Sequence, residues 1–146
     1  MLGIVVSGHI HFASGLQSAV EAIVGKQPQL AFVDFTEDLT TDQLEQKLRE
    51  ACAEVDTGDG VLFLTDLYGG SPTNRAANII LTTPNTELIC GTNLSMIINA
   101  ALEREELTLA ELTEALLSGE MGHIKDMRKE LASVMQDDQQ DDGEGL

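Results

Sequence analysis

A histidine and an aspartate each follow a short apolar run: His9 comes after Leu2-Gly3-Ile4-Val5-Val6-Ser7-Gly8, and Asp66 after Val61-Leu62-Phe63-Leu64-Thr65. A carboxylate that takes the proton of one imidazole nitrogen leaves the other nitrogen with a free, aimed lone pair, which makes such a histidine a nucleophile. Shortly behind Asp66 stands Gly69-Gly70-Ser71-Pro72. The two glycines let backbone amides approach a ligand, and a helix start at Ser71-Pro72 adds unpaired N–H groups and a positive dipole end, a setting suited to a phosphoryl group. Taken singly, each piece also reads as an ordinary structural feature: a hydrogen-bonded strand-end histidine, a turn aspartate, a loop, a helix cap. Their coincidence on neighbouring loop tips is what points to a site. His11 lies two residues further along the chain. His123 reads as a surface residue. A metal reading would join His9, His11 and Asp66, but two histidines and one distant carboxylate carry no metal-ligand spacing. The chain has no Gly-x-x-x-x-Gly-Lys, Gly-x-Gly-x-x-Gly, Gly-x-Ser-x-Gly or Cys-x-x-Cys pattern, so the expectation is no metal, no nucleotide and no other cofactor.

The elements that hold these residues follow from periodicity. Leu2 to Val6 is a strand apolar on both faces, ending at Ser7-Gly8. Leu16, Ala19, Val20, Ile23 and Val24 then make one helical stripe that closes at Gly25. A second strand spans Leu30 to Phe35. Thr40 and Gln43 form a capping box ahead of Leu44, Leu48, Cys52 and Val55. Val61 to Thr65 is the most apolar run and reads as the central strand. Ser71 as N-cap with Pro72 at the first helical position starts the next helix, whose Ala76, Ala77, Ile79 and Ile80 face the sheet. Glu87 to Cys90 is the fourth strand. Leu94, Ile97, Ile98, Ala101 and Leu102 form another stripe, and Thr108 with Glu111 caps a last helix that closes at Gly119. Strand and helix alternate four times across short connections, which implies right-handed crossovers in an α/β fold: an open, mainly parallel sheet with helices on both faces. Ligands of such sheets bind beyond the carboxyl ends of the strands, where strand order reverses. That edge collects His9, Asp34, Asp66 to Ser71, and Gly91-Thr92-Asn93. Residues Met121 to Met135 suit either a helix or, over His123 to Met127, a strand. From Gln136 the chain turns to Asp, Gln, Gly and Glu with one apolar residue, Leu146, too little to offset the entropy of ordering it. The expected division is a domain over 1–135 and a disordered acidic tail over 136–146.

Composition narrows the partners. Of 146 residues, 25 are acidic and 8 are Lys or Arg, a net charge of −17, while 42% are hydrophobic, enough for a buried core. This balance argues against nucleic acid and anionic membranes, both of which need a basic surface. A macromolecular partner is expected to be locally basic. Cys52 and Cys90 lack metal spacing and read as reduced core thiols of a cytoplasmic protein. Met1 to Ser7 carries no basic residue, and no apolar run reaches the length of a membrane span, so neither a signal peptide nor a spanning segment is expected.

Three blocks carry a resemblance: Gly3-Ile-Val-Val-Ser-Gly-His9, Gly60-Val-Leu-Phe-Leu-Thr-Asp66-Leu-Tyr-Gly-Gly-Ser-Pro-Thr-Asn74, and Ile89-Cys-Gly-Thr-Asn-Leu-Ser-Met96. Over residues 2 to 130 the chain resembles the IIA proteins of the mannose-type (mannose/fructose/sorbose) sugar phosphotransferase system. The resemblance implies a phosphotransferase with a phosphohistidine intermediate. His9 would accept a phosphoryl group from the carrier protein HPr and pass it to a IIB partner, with membrane IIC and IID components acting downstream in sugar uptake. Asp66 would orient the imidazole, and Gly69, Gly70 and Ser71 would border the phosphate. It also implies a cytoplasmic homodimer in which an antiparallel carboxyl-terminal strand is exchanged, with Met121 to Met127 as the candidate. Many relatives have Gly directly after the active histidine, where Ile10 and then His11 stand here. Three other readings use the same residues: the phosphoryl-donor subunit of dihydroxyacetone kinase, a non-catalytic regulatory α/β domain, and a metal-dependent hydrolase.

Overall fold

A computed structural model describes residues 1–144, with side chains to Gln136. Of the expected disordered tail, 136–146, the backbone through Glu144 is helical, and the side chains beyond Gln136 and all of residues 145–146 lie outside that description. The elements run β1 (Gly3–His9), α1 (Phe12–Val24), β2 (Leu30–Phe35), α2 (Thr41–Val55), β3 (Val61–Thr65), α3 (Ser71–Thr82), β4 (Thr86–Ile89), α4 (Leu94–Glu103), α5 (Leu109–Leu117), a 3-10 turn (Glu120–Gly122) and α6 (Met127–Glu144). The four strands form one all-parallel sheet in the order β2-β1-β3-β4. The chain leaves β1 toward one edge and β3 toward the other, so the order reverses between β1 and β3.

Alternation along each strand feeds two cores, which is why the strand sequences read as continuous apolar runs. Ile4, Val6, Leu62 and Leu64 pack with Val20, Ile97, Ala100 and Leu112 from α1, α4 and α5. Val5, Val61 and Phe63 point the other way, onto Leu44, Leu48, Cys52, Ala76 and Ile79 from α2 and α3. Both expected capping boxes form, with Thr40 on Gln43 and Thr108 on Glu111. Two stripe residues, Ile23 and Leu102, face solvent instead of the core. Cys52 is buried, and that burial pushes its thiol up; Cys90 is only half-buried.

Three local expectations are corrected. First, β1 continues through Ser7 and Gly8 to His9, because Ser7 is paired on both sides, with Val33 and with Thr65, and its hydroxyl donates to the Val33 carbonyl at 2.8 Å. Second, Gly70, not Ser71, is the N-cap of α3: its carbonyl accepts the Asn74 N–H at 2.9 Å, and no side chain caps this helix. Third, the segment 121–135, left open between helix and strand, takes the helix from Met127 and no strand over 121–127 in the single chain. Asn93 Nδ2 holds the Gly122 carbonyl at 3.0 Å and the Ser95 hydroxyl holds that of Met121 at 3.0 Å, tying this turn to α4. His123 then turns the chain away at φ 52°.

A structural device at the opposite sheet end escaped the sequence reading. Arg104 is 1% exposed and donates to the carbonyls of Leu2 and Gln29 at 3.1 and 2.8 Å and to that of Pro28, tying together the amino ends of β1 and β2. Among the described residues no helix is long and apolar enough to cross a membrane.

Candidate functional site

The strand order places the last residue of β1, His9, beside the residue that follows β3, Asp66, at the reversal point. Asp66 Oδ2 accepts the backbone N–H of His9 at 2.7 Å and lies 2.8 Å from its Nδ1; Oδ1 accepts the Leu67 N–H at 2.7 Å. A carboxylate can only accept here, so the bond assigns the proton to Nδ1 and leaves the lone pair on Nε2. Burial alone would raise the Asp66 carboxyl, but the hydrogen bonds from the His9 backbone, the His9 ring and Leu67 outweigh it, and the group stays ionised below the usual carboxylate range. Asp66 is 10% exposed and His9 39%, so the base is sheltered while the nucleophile reaches the surface.

Two contacts fix the ring plane. Phe35, the partner of His9 in the β1–β2 register, meets it edge to face with centroids 5.9 Å apart. On the other side lies Gly70, where an added Cβ would stand 2.7 Å from His9 Cε1. Gly70 is thus required by the histidine and not by its own backbone angles, whereas Gly69, at φ 80°, is required by the turn. The loop between Asp66 and Ser71 is held from below by hydroxyls. Thr73 Oγ1 donates to the Leu67 carbonyl at 2.7 Å and lies 2.7 Å from Thr65 Oγ1, while Thr92 donates to the Thr65 carbonyl at 2.6 Å and Gly91 N–H to that of Asp66 at 2.9 Å. Thr92 was already on the predicted edge, whereas Phe35, Thr65 and Thr73 were not singled out; Phe35 and Thr65 are the last residues of β2 and β3, and that position is the signal that could have marked them.

Ser71 opens α3 half-buried directly after Gly70; Pro72 has no N–H and that of Asn74 is bonded to the Gly70 carbonyl, so the backbone N–H groups of Ser71 and Thr73 are the first-turn donors left without a partner in the helix. His9, Asp66, Gly69, Gly70 and Ser71 therefore stand together. The remaining candidates do not join them. His11 is 73% exposed, 3.5 Å from Asp34 Oδ2, and Asp34 is occupied in capping α1 by accepting the Ser14 N–H at 2.9 Å. His123 lies 2.6 Å from the Ser95 hydroxyl, on α4. Among the described residues no three His, Cys, Asp or Glu side chains gather as a metal site. A cavity of about 670 Å³ sits at the far end of the strands, lined by Leu2, Asn85, Arg104 and Leu107, whereas His9 stands on an open tip accessible to a large partner.

The family model EIIA-man, described as PTS system fructose IIA component, matches residues 3–117. The chain is 32% identical over 105 residues to the mannose-specific EIIAB component of Escherichia coli, covering 72% of this chain and 32% of that protein, so it spans about a third of the length of that relative. It is 30% identical to the fructose-specific EIIA component of Bacillus subtilis over 80% of each chain. Among solved structures, EIIA from Streptococcus agalactiae matches with a TM-score of 0.80 at 24% identity, covering 88% of this chain and 99% of that one, which shows a shared fold. The mannose/sorbose-specific IIA subunit from Enterococcus faecalis matches with a TM-score of 0.67 at 29% identity, over 80% and 90%.

Proposed function

The chain belongs to the mannose-type IIA family of the sugar phosphotransferase system, and from that premise we propose that it carries a phosphoryl group on His9, received from the phosphohistidine of HPr and handed to a histidine of a IIB protein during sugar uptake. The observation that carries the reading is the 2.8 Å contact between Asp66 Oδ2 and His9 Nδ1 at the strand-order reversal. It frees Nε2 to attack phosphorus. In that step the Nε2–P bond forms as the donor N–P bond breaks, the electron pair returns to the donor imidazole, and His9 becomes cationic beside the Asp66 carboxylate. The phosphoryl oxygens are placed to meet the N–H groups at the start of α3, with Ser71 and the Gly69-Gly70 turn bordering them. Transfer onward to IIB is the same step in reverse.

Between two imidazoles the protein needs to supply positioning and charge stabilisation, for which His9, Asp66 and the α3 start suffice without a metal or nucleotide. A cytoplasmic setting and a homodimer complete the proposal. The acidic surface favours a basic donor face. The test is incubation with phosphoenolpyruvate, the general system enzyme and HPr, followed by mapping of acid-labile phosphate on the wild type and on His9→Ala, His11→Ala and His123→Ala. One phosphate is expected on all but His9→Ala. Full labelling of His9→Ala would move the site elsewhere, and an unlabelled wild type would remove the function.

A further inference from the structure

Ile10, directly after the candidate nucleophile, has φ 54°. That is the left-handed region, to which a β-branched side chain is among the least suited. The turn itself is needed: Ile10 N–H donates to the Phe35 carbonyl at 2.8 Å, closing the end of β1, and α1 begins two residues later. Glycine or asparagine would take the same turn without strain. Nor does the core repay the isoleucine, since it is 44% exposed. Strain kept at a functional site, with no return from inside the fold, points to a use outside it.

The surroundings say what that use is. Leu67 and Tyr68, in the loop that follows Asp66, are 59% and 92% exposed. The point where a Gly70 Cβ would stand lies 2.7 Å from His9 Cε1 and 3.4 Å from Leu67 Cβ, so this loop begins against the ring. Three large apolar side chains thus stand on the two loops that carry His9 and its Asp66 partner, on a protein of net charge −17. We propose that Ile10 is a docking residue, which with Leu67 and Tyr68 forms an apolar collar on which the phosphohistidine carrier protein seats while it delivers its phosphoryl group to His9. The inference rests on the phosphoryl-transfer reading above. Direct transfer brings phosphorus within reach of both imidazoles at once, so whatever borders His9 Nε2 is covered by the donor protein at that moment. The matching donor face is an apolar patch ringed by Lys and Arg. A second copy of this chain would instead set one strongly acidic surface against another and close off His9.

The test uses Ile10→Gly and Ile10→Asn in the full chain, with Tyr68→Ala as an independent variant of the same collar. Because both Ile10 replacements relieve the turn, they are expected to melt no earlier than wild type. The KM for phospho-HPr should nevertheless rise by about five- to tenfold, the scale of one docking side chain, with kcat nearly unchanged. Labelling of His9 by a small donor, phosphoramidate, should stay at the wild-type rate. An unchanged KM overturns the proposal. Equal slowing with phospho-HPr and phosphoramidate also overturns it, by making Ile10 a residue that positions the His9 ring. Failure of the phosphoryl-transfer reading shows separately, as a wild type that takes no phosphate from HPr.

Discussion

Replacing Asp66 by asparagine removes one charge and almost no volume, and its effect can be worked from three distances. His9 N–H and His9 Nδ1 meet Oδ2 at 2.7 and 2.8 Å, and Leu67 N–H meets Oδ1 at 2.7 Å. An amide has one oxygen. It therefore keeps the His9 pair or the Leu67 bond, and turns an N–H toward the donor it abandons. Keeping His9 is cheaper, because Leu67 is exposed and water can accept its N–H. The ring then still donates from Nδ1, but to a neutral oxygen. Hydrogen bonds to charged acceptors are worth roughly 1.5–3 kcal/mol against roughly 0.5–1.5 for neutral ones, so this bond weakens by about 1–1.5 kcal/mol as the imidazole becomes cationic. That predicts transfer from phospho-HPr about five- to twelvefold slower. The loss of the corresponding charge in a Ser-His-Asp triad, up to about 10⁴-fold, bounds the effect from above.

Stability adds a second readout for the same variant. The folded Asp66 carboxyl lies below its unfolded value, so what the charge contributes is fully present above about pH 4 and is lost as pH falls through the lowered folded value. Wild type should melt above Asp66→Asn near neutrality, and the gap should close in that acid window. Quenched-flow transfer and pH-dependent thermal melts measure the two quantities. A wild-type transfer rate in Asp66→Asn, or a melting gap that persists unchanged into acid, would refute the assigned role of the carboxylate.

Gly70→Ala keeps an allowed backbone yet sets a Cβ 2.7 Å from His9 Cε1; the ring must shift, and transfer should drop at least about tenfold with the melting temperature little changed. A variant that transfers normally would show the ring free to move. Deleting 136–146 should leave fold and transfer intact, as chemical denaturation and phosphate labelling will report. Deletion from Met121 onward removes the turn held by Asn93 and Ser95 together with Ile124, Met127 and Leu131, all exposed in the single chain; light scattering should show loss of the proposed dimer, and a stable dimer would place the contact elsewhere.

Periodicity and capping chemistry are properties of neighbours along the chain, and they carried the four strands, the helices through α5 and both capping boxes. They also named His9, Asp66 and the Gly69-Gly70-Ser71 segment, because a strand end is a local event and the reversal rule says where strand ends matter. Other features depend on residues far apart in sequence. Ser7 belongs to β1 because Val33 and Thr65 flank it. Gly70 is indispensable because of a ring 61 positions earlier, the difference between 70 and 9. Asp34, on the site edge by topology, caps α1 instead of serving His9. Arg104 carries no mark along the chain, and its role rests on three backbone carbonyls that converge on it. The segment after Gly119 shows the limit most clearly. Its apolar residues suit strand and helix alike; in the single chain Ser95, on α4, and Asn93, just before it, hold the Met121 and Gly122 carbonyls, and the chain is helical from Met127. Local sequence determined the elements and the chemistry at their ends; long-range hydrogen bonding decided which of those ends meet.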